Sequence, residues 1–204
     1  MYKKQMILQR IACFIVLIAA ALVFAYSLGL LTDMYEMKLD YHAERYYKNG
    51  MTEEALSKVK VSGAEIYYDM QEFNRELTTA GIVLILLAVS QYVFQNQNRR
   101  KYYIANYITV GANTLGAIYY SYWGLSNIFL YKERYLKMDF AELMKLNERY
   151  GFAYTESTFW FDFSKVVFGL LLFATAVNVL NMVWKISLMN NEKKLVQAGK
   201  GGKA

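Results

Sequence analysis

The stretch Ile11–Leu31 reads IACFIVLIAAALVFAYSLGLL and decides the fold class, because none of its residues is charged. About 20 apolar residues in a helix, at 1.5 Å per residue, cross the ~30 Å hydrocarbon core of a bilayer. Proline, which interrupts helices, is absent from all 204 residues of the chain. The stretch therefore predicts a membrane-spanning helix.

Three more stretches have the length and composition of membrane spans, and none of them contains Asp, Glu, Lys or Arg. They are residues 78–95, 102–130 and 166–184. We predict an all-α, polytopic membrane protein with a single domain over 1–204 and four transmembrane helices. The absence of charge inside the spans argues against a proton relay, a voltage sensor or an ion-coupled pump.

The segments between the spans keep a helical period after the apolar residues end. Leu31, Tyr35, Leu39, His42 and Tyr46 recur three or four residues apart, as on one face of a helix. We therefore predict helical extracytoplasmic extensions over 32–77 and 131–165. Within the second extension, Asp139 is the expected N-cap of a helix, and Phe159–Phe163 (FWFDF) is the expected aromatic belt at the membrane surface.

Loop charges predict the orientation of the chain, since cytoplasmic loops of membrane proteins are rich in Lys and Arg. Segments 1–10, 96–101 and 185–204 together hold eleven basic residues and one acid, and the two long loops hold twelve basic residues and sixteen acids. We expect both termini in the cytoplasm. The excess of basic over acidic residues is then explained by membrane topology and by contact with the lipid bilayer. Nucleic acid is not an expected partner.

The only cysteine, Cys13, allows no internal disulfide, although two long segments are predicted outside the cell. Extracellular domains of eukaryotic cell-surface proteins are usually cross-linked by disulfides. The sequence therefore favours a bacterial plasma membrane.

Two sets of residues within the spans are candidates for helix association. Small side chains allow helices to approach closely, and buried amides need hydrogen-bond partners in hydrocarbon. The amides either pair with one another, pair with a second subunit, or line a polar path. The small residues are Ala21, Ala25, Gly29, Gly111, Ala112 and Gly116, joined by Gly124, and the amides are Gln91, Asn106, Asn113, Asn178 and Asn181.

Two rows of acids at helical spacing are the other candidate features. Asp33, Glu36, Asp40 and Glu44 lie opposite the apolar face that contains His42, so we interpret them as a solvated face and the histidine as a packed residue, with a pH switch or metal ligand as the alternative. The second row flanks an apolar face and is the candidate external partner or cation face. That row is Glu65, Asp69, Glu72 and Glu76.

The sequence contains none of the common catalytic or nucleotide-binding motifs, so we expect neither an enzyme nor a cofactor. Our first functional expectation is a non-enzymatic accessory or scaffold subunit of a larger membrane complex, with a transporter as the expected complex. The alternative is a homo-oligomeric channel or small transporter with an acidic external vestibule. The expected partners are another membrane protein subunit or further copies of the chain.

Overall fold

The structure, a computed structural model, describes residues 2–35, 66–95, 103–142, 145 and 157–201. Four long helices account for most of these residues, and no strand occurs among them. We number the helices in chain order as α1 (Tyr2–Tyr35), α2 (Ile66–Gln95), α3 (Tyr103–Tyr135) and α4 (Phe159–Gly201). The predicted all-α class is confirmed for the part of the chain that the structure describes.

Three of the helices contain stretches that are long and apolar enough to cross a membrane. These stretches are Lys3–Gly29, Glu72–Phe94 and Phe159–Gln197. They cover three of the four predicted spans and indicate a membrane protein. The remaining prediction, residues 102–130, corresponds to the continuous helix α3, which is more polar in composition.

The predicted helical turn after α3 is present. The Glu142 backbone N–H donates to Asp139 Oδ1 at 3.0 Å, which is the bond that an N-cap residue accepts. Three other predicted features lie outside the described residues: His42, the acids Glu36, Asp40 and Glu44, and Glu65.

The chain divides into two compact units, and each draws on all four helices. Unit one comprises Met1–Leu22, Ile82–Ser121 and Gly169–Ala204, and unit two comprises Val23–Gly81 and Tyr122–Phe168.

Aromatic side chains form much of the core of unit two. The Tyr26 hydroxyl donates to the Trp160 carbonyl at 2.8 Å, and the Tyr135 ring centroid lies 5.2 Å from that of Phe161. Phe161 and Tyr135 are fully buried. The FWFDF stretch therefore supplies Phe161 to this core, because burying a large aromatic side chain between helices is strongly favourable. Phe159 of the same stretch is exposed, and the location of the stretch at the membrane surface stays a prediction.

Candidate functional site: the buried amides of unit one

The interior of unit one contains both polar and small apolar side chains. Seven carboxamide side chains, contributed by all four helices, are at most 3% exposed, and small apolar residues such as Ala12 and Ala117 lie among the buried residues of the same unit. We call these seven side chains the amide layer. Its members are Gln5, Gln9, Gln91, Asn106, Asn113, Asn178 and Asn181.

Hydrogen bonds join amides of this layer to each other and to Cys13, and two of these bonds link different helices. Gln5 Nε2 donates to Gln9 Oε1 at 3.1 Å and to Asn181 Oδ1 at 3.3 Å, which joins α1 to α4. Gln91 Nε2 donates to Cys13 Sγ at 3.6 Å, which joins α2 to α1. These contacts stabilise the packing of the helices within unit one.

Several buried amide atoms have no hydrogen-bond partner within the described residues. Both polar atoms of Asn113 are in this group, together with Asn106 Oδ1, Gln5 Oε1 and Asn181 Nδ2. Each unsatisfied buried polar group costs about 1–3 kcal/mol. The interior of unit one therefore retains donors and acceptors for a further polar group.

All five amides singled out in the sequence lie in this interior. Gln5 and Gln9 were missed, because the sequence assigned 1–10 to the cytoplasm on its basic charge. A signal was present: Gln5, Gln9 and Cys13 recur every four residues, as on one helix face. Lys185, assigned to the cytoplasmic tail for the same reason, is only 9% exposed.

The predicted small residues lie in two kinds of environment. A Cβ atom on Gly29 would lie 3.0 Å from the Trp160 ring, and one on Gly116 would lie 2.9 Å from Leu87 Cδ1. These two glycines therefore permit close contacts between helices inside the chain. By contrast, Ala21 and Ala25 are exposed, Ala112 is half-buried, and a Cβ on Gly111 would meet nothing within 4 Å.

Two further glycines permit close approach in unit two. A Cβ on Gly81 would lie 2.8 Å from the Cα of Phe24, and one on Gly124 would lie 2.7 Å from Phe168 Cζ. The contact at Gly124 was predicted from the sequence, whereas the contact at Gly81 was not. The run of small residues Thr79-Ala80-Gly81 indicates the contact at Gly81 in the sequence, since small residues favour close contact between helices.

Part of the negative charge of the second acidic row is balanced by an ion pair. Asp69 forms an ion pair with Arg134, and its carbonyl accepts a hydrogen bond from the Tyr131 hydroxyl at 3.3 Å. Burial raises the pKa of the Tyr131 phenol, and the nearby Asp69 carboxylate adds to the rise. Glu72 and Glu76 are exposed. In the described residues, no group of three or more His, Cys, Asp or Glu side chains is arranged to hold a metal ion.

A second ion-pair cluster joins α3 to α4 in unit two. Lys132 Nζ lies 2.6 Å from Asp162 Oδ2, and Lys165 Nζ lies 2.8 Å from Asp162 Oδ1. The Thr158 hydroxyl donates to the same carboxylate at 3.0 Å. Asp162 therefore accepts hydrogen bonds from three side chains.

Comparison with protein-family models, curated proteins and solved structures gives no match. Functional inference therefore rests on the arrangement of the residues themselves.

Proposed function

We propose that this chain is a four-span plasma-membrane protein that acts as a non-enzymatic accessory subunit of a larger membrane complex. The observation that carries the proposal is that unit one buries the amide layer and exposes large apolar side chains. Ile11, Leu86, Leu115 and Leu180 are all at least 50% exposed. A surface of this kind suits hydrocarbon or another membrane helix and is unfavourable in water.

The fourth span of the proposal is α3. It has more Asn, Ser and Thr residues than the other predicted spans, but its polar and apolar residues lie mainly on different faces. Asn106, Asn113 and Ser121 are buried, whereas Ile108, Leu115 and Tyr122 are 63%, 71% and 77% exposed. The face that would meet lipid is therefore mainly apolar and aromatic, and Asn106 and Asn113, the most polar residues of its membrane-facing part, lie inside the chain.

The proposed subunit role rests on the outer faces of the helices. Among the described residues, Ala21 and Ala25 on α1 are small and exposed, and α3 has open space over Gly111. Small residues let a neighbouring helix approach closely in a membrane. Because the seven side chains of the amide layer lie inside the chain, the partner would bind mainly by packing against these faces.

The test is gentle solubilisation from native membranes followed by affinity purification and mass spectrometry. We expect an unrelated membrane protein at constant stoichiometry. Gly111→Leu should reduce its recovery without unfolding the chain, because the side chain enters open space, and Ile108→Leu on the same helix is the matched control. Recovery of self-assemblies alone would contradict the proposal.

The second candidate is a homo-oligomeric channel or small transporter, and the buried polar atoms of Asn113 favour it. If the amide layer lines a path, Asn113→Leu should abolish cation flux into liposomes that contain the purified protein. The acidic vestibule expected for this alternative is weakened by the ion pair between Asp69 and Arg134. Absence of flux in the unsubstituted protein would remove this candidate.

A further inference from the structure

Lys185 is a buried cation that the proposed function does not use. It lies on α4 one turn after Asn181, and residues four apart share a helix face. No ion pair joins it to a carboxylate in the part of the chain that the structure describes. The sequence of unit one contains a single acid, Glu192, and that residue is exposed. A buried ammonium group is unfavourable unless an anion or several acceptors accompany it.

A second hydrogen-bond donor on the same face of α4 is the side-chain amide of Asn181, which is oriented by a hydrogen bond. Because Gln5 Nε2 donates to Asn181 Oδ1 at 3.3 Å, the other amide atom, Asn181 Nδ2, has to be a donor. This nitrogen is buried and has no partner within the described residues. The ammonium and the amide N–H together suit a ligand that is anionic and offers several acceptor oxygens, as a phosphate group does.

The position of Lys185 along α4 indicates where such a phosphate would come from. Trp184 and Ile186 beside it are exposed and apolar, and the exposed residues become polar a turn later, at Asn190–Lys193. Tryptophan and lysine at such a boundary are typical of the level of the lipid headgroups. We propose that Lys185 and Asn181 bind the phosphate of an anionic phospholipid in the inner leaflet, an inference that rests on α4 spanning the membrane as proposed above.

The test uses the full-length protein, stripped of lipid in detergent micelles and titrated with phosphatidylglycerol, with bound lipid counted by native mass spectrometry. We expect Lys185→Met to weaken lipid binding by about tenfold, because a charge-assisted hydrogen bond is lost. The control Lys193→Met removes the same charge from an exposed position eight residues later and should leave binding unchanged. Equal binding by the protein and Lys185→Met would overturn the proposal.

Asn181→Asp gives an independent result if Lys185→Met fails to fold. The new carboxylate would pair with Lys185 one turn away and replace the phosphate, so lipid binding should fall while thermal stability in lipid-free micelles is retained. Unchanged lipid binding in Asn181→Asp would overturn the proposal.

Inorganic phosphate is the second probe, because free phosphate shares the chemistry of the lipid headgroup. We expect phosphatidylglycerol to bind and to be displaced poorly by inorganic phosphate. Binding of inorganic phosphate without binding of the lipid would overturn the lipid assignment. These measurements need no partner protein, so their outcome is separate from the search for a larger complex.

Discussion

At the scale of single residues, Gly81 is a point of close approach between α1 and α2. A Cβ atom there would lie 2.8 Å from the Phe24 Cα, which is a backbone atom and cannot rotate away. Alanine favours a helix over glycine by about 1 kcal/mol. The steric cost of a forced backbone shift is about 1–3 kcal/mol. We therefore expect Gly81→Ala to lower the thermal unfolding temperature in detergent.

The control for that substitution is Gly111→Ala, on α3. Its Cβ would meet nothing within 4 Å, so only the gain in helix propensity remains. We expect an unchanged or higher unfolding temperature. If both substitutions shift the temperature in the same direction, the close contact at Gly81 is not what limits stability.

Asn113 gives a second prediction at this scale. Both of its polar atoms are buried and lack partners within the described residues. Replacing an unsatisfied buried amide with an apolar side chain of similar size removes a cost of about 1–3 kcal/mol. We expect Asn113→Leu to raise the unfolding temperature, measured in detergent by the fluorescence of the tryptophans. A fall would mean that Asn113 binds a group that stabilises the protein.

The amides also show what the sequence can predict about single residues. Asn106, Asn113 and Asn178 stand out because an amide in an apolar stretch has to be buried or functional. Gln5 does not stand out, because it lies beside the exposed Lys4, and Lys185 does not stand out, because it begins a basic C-terminal segment that contains exposed charges such as Lys193. Composition identifies a polar residue among apolar neighbours, but only the helix packing identifies which residues of a charged segment are buried.

At the scale of the helices, ion pairs join neighbouring elements in unit two. Arg134 on α3 pairs with Asp69 on α2, and both side chains are about two-fifths exposed. Partly exposed pairs contribute about 0.2–1 kcal/mol and weaken as salt screens them. In a double-mutant cycle of Asp69→Asn and Arg134→Gln, we expect a coupling energy in that range in dilute buffer.

The same cycle should give a coupling energy close to zero in about 1 M salt, where screening acts within about 3 Å. The measurement is the unfolding free energy of the protein, the two single variants and the double variant. A coupling energy that does not change with salt would contradict the pairing. Glu72→Gln, at an exposed acid one turn beyond Asp69, is the control for loss of charge alone.

The helices show why the sequence predicts where each helix lies along the chain better than it predicts what surrounds the side chains of that helix. Apolar runs and the absence of proline predict where α2, α3 and α4 lie along the chain, because these signals are local. The environment of FWFDF depends on tertiary contacts, such as that between Phe161 and Tyr135, which the order of residues does not contain. Aromatic residues favour both a membrane interface and a protein core, so composition alone does not separate the two.

At the scale of the whole molecule, the number of spans sets the side on which each loop lies. The charge bias of the loops favours four spans, because it places the basic segments 1–10, 96–101 and 185–204 on one side. If α3 did not cross the membrane, the residues after it would lie in the cytoplasm and the C-terminal residues outside. Two exposed positions, Glu142 and Lys194, therefore lie on opposite sides in the two arrangements.

Cysteine labelling in intact cells tests this difference, with Cys13→Ser as the background because Cys13 is the only cysteine. We expect a membrane-impermeant maleimide to label Glu142→Cys at once and Lys194→Cys only after the cells are permeabilised. Glu76→Cys should label and Lys3→Cys should not, whichever number of spans is correct, so these two variants control for access and for leakage. Labelling of Lys194→Cys but not of Glu142→Cys in intact cells would mean three spans. The separation of polar and apolar residues on α3 could then not be explained by contact of its apolar face with lipid.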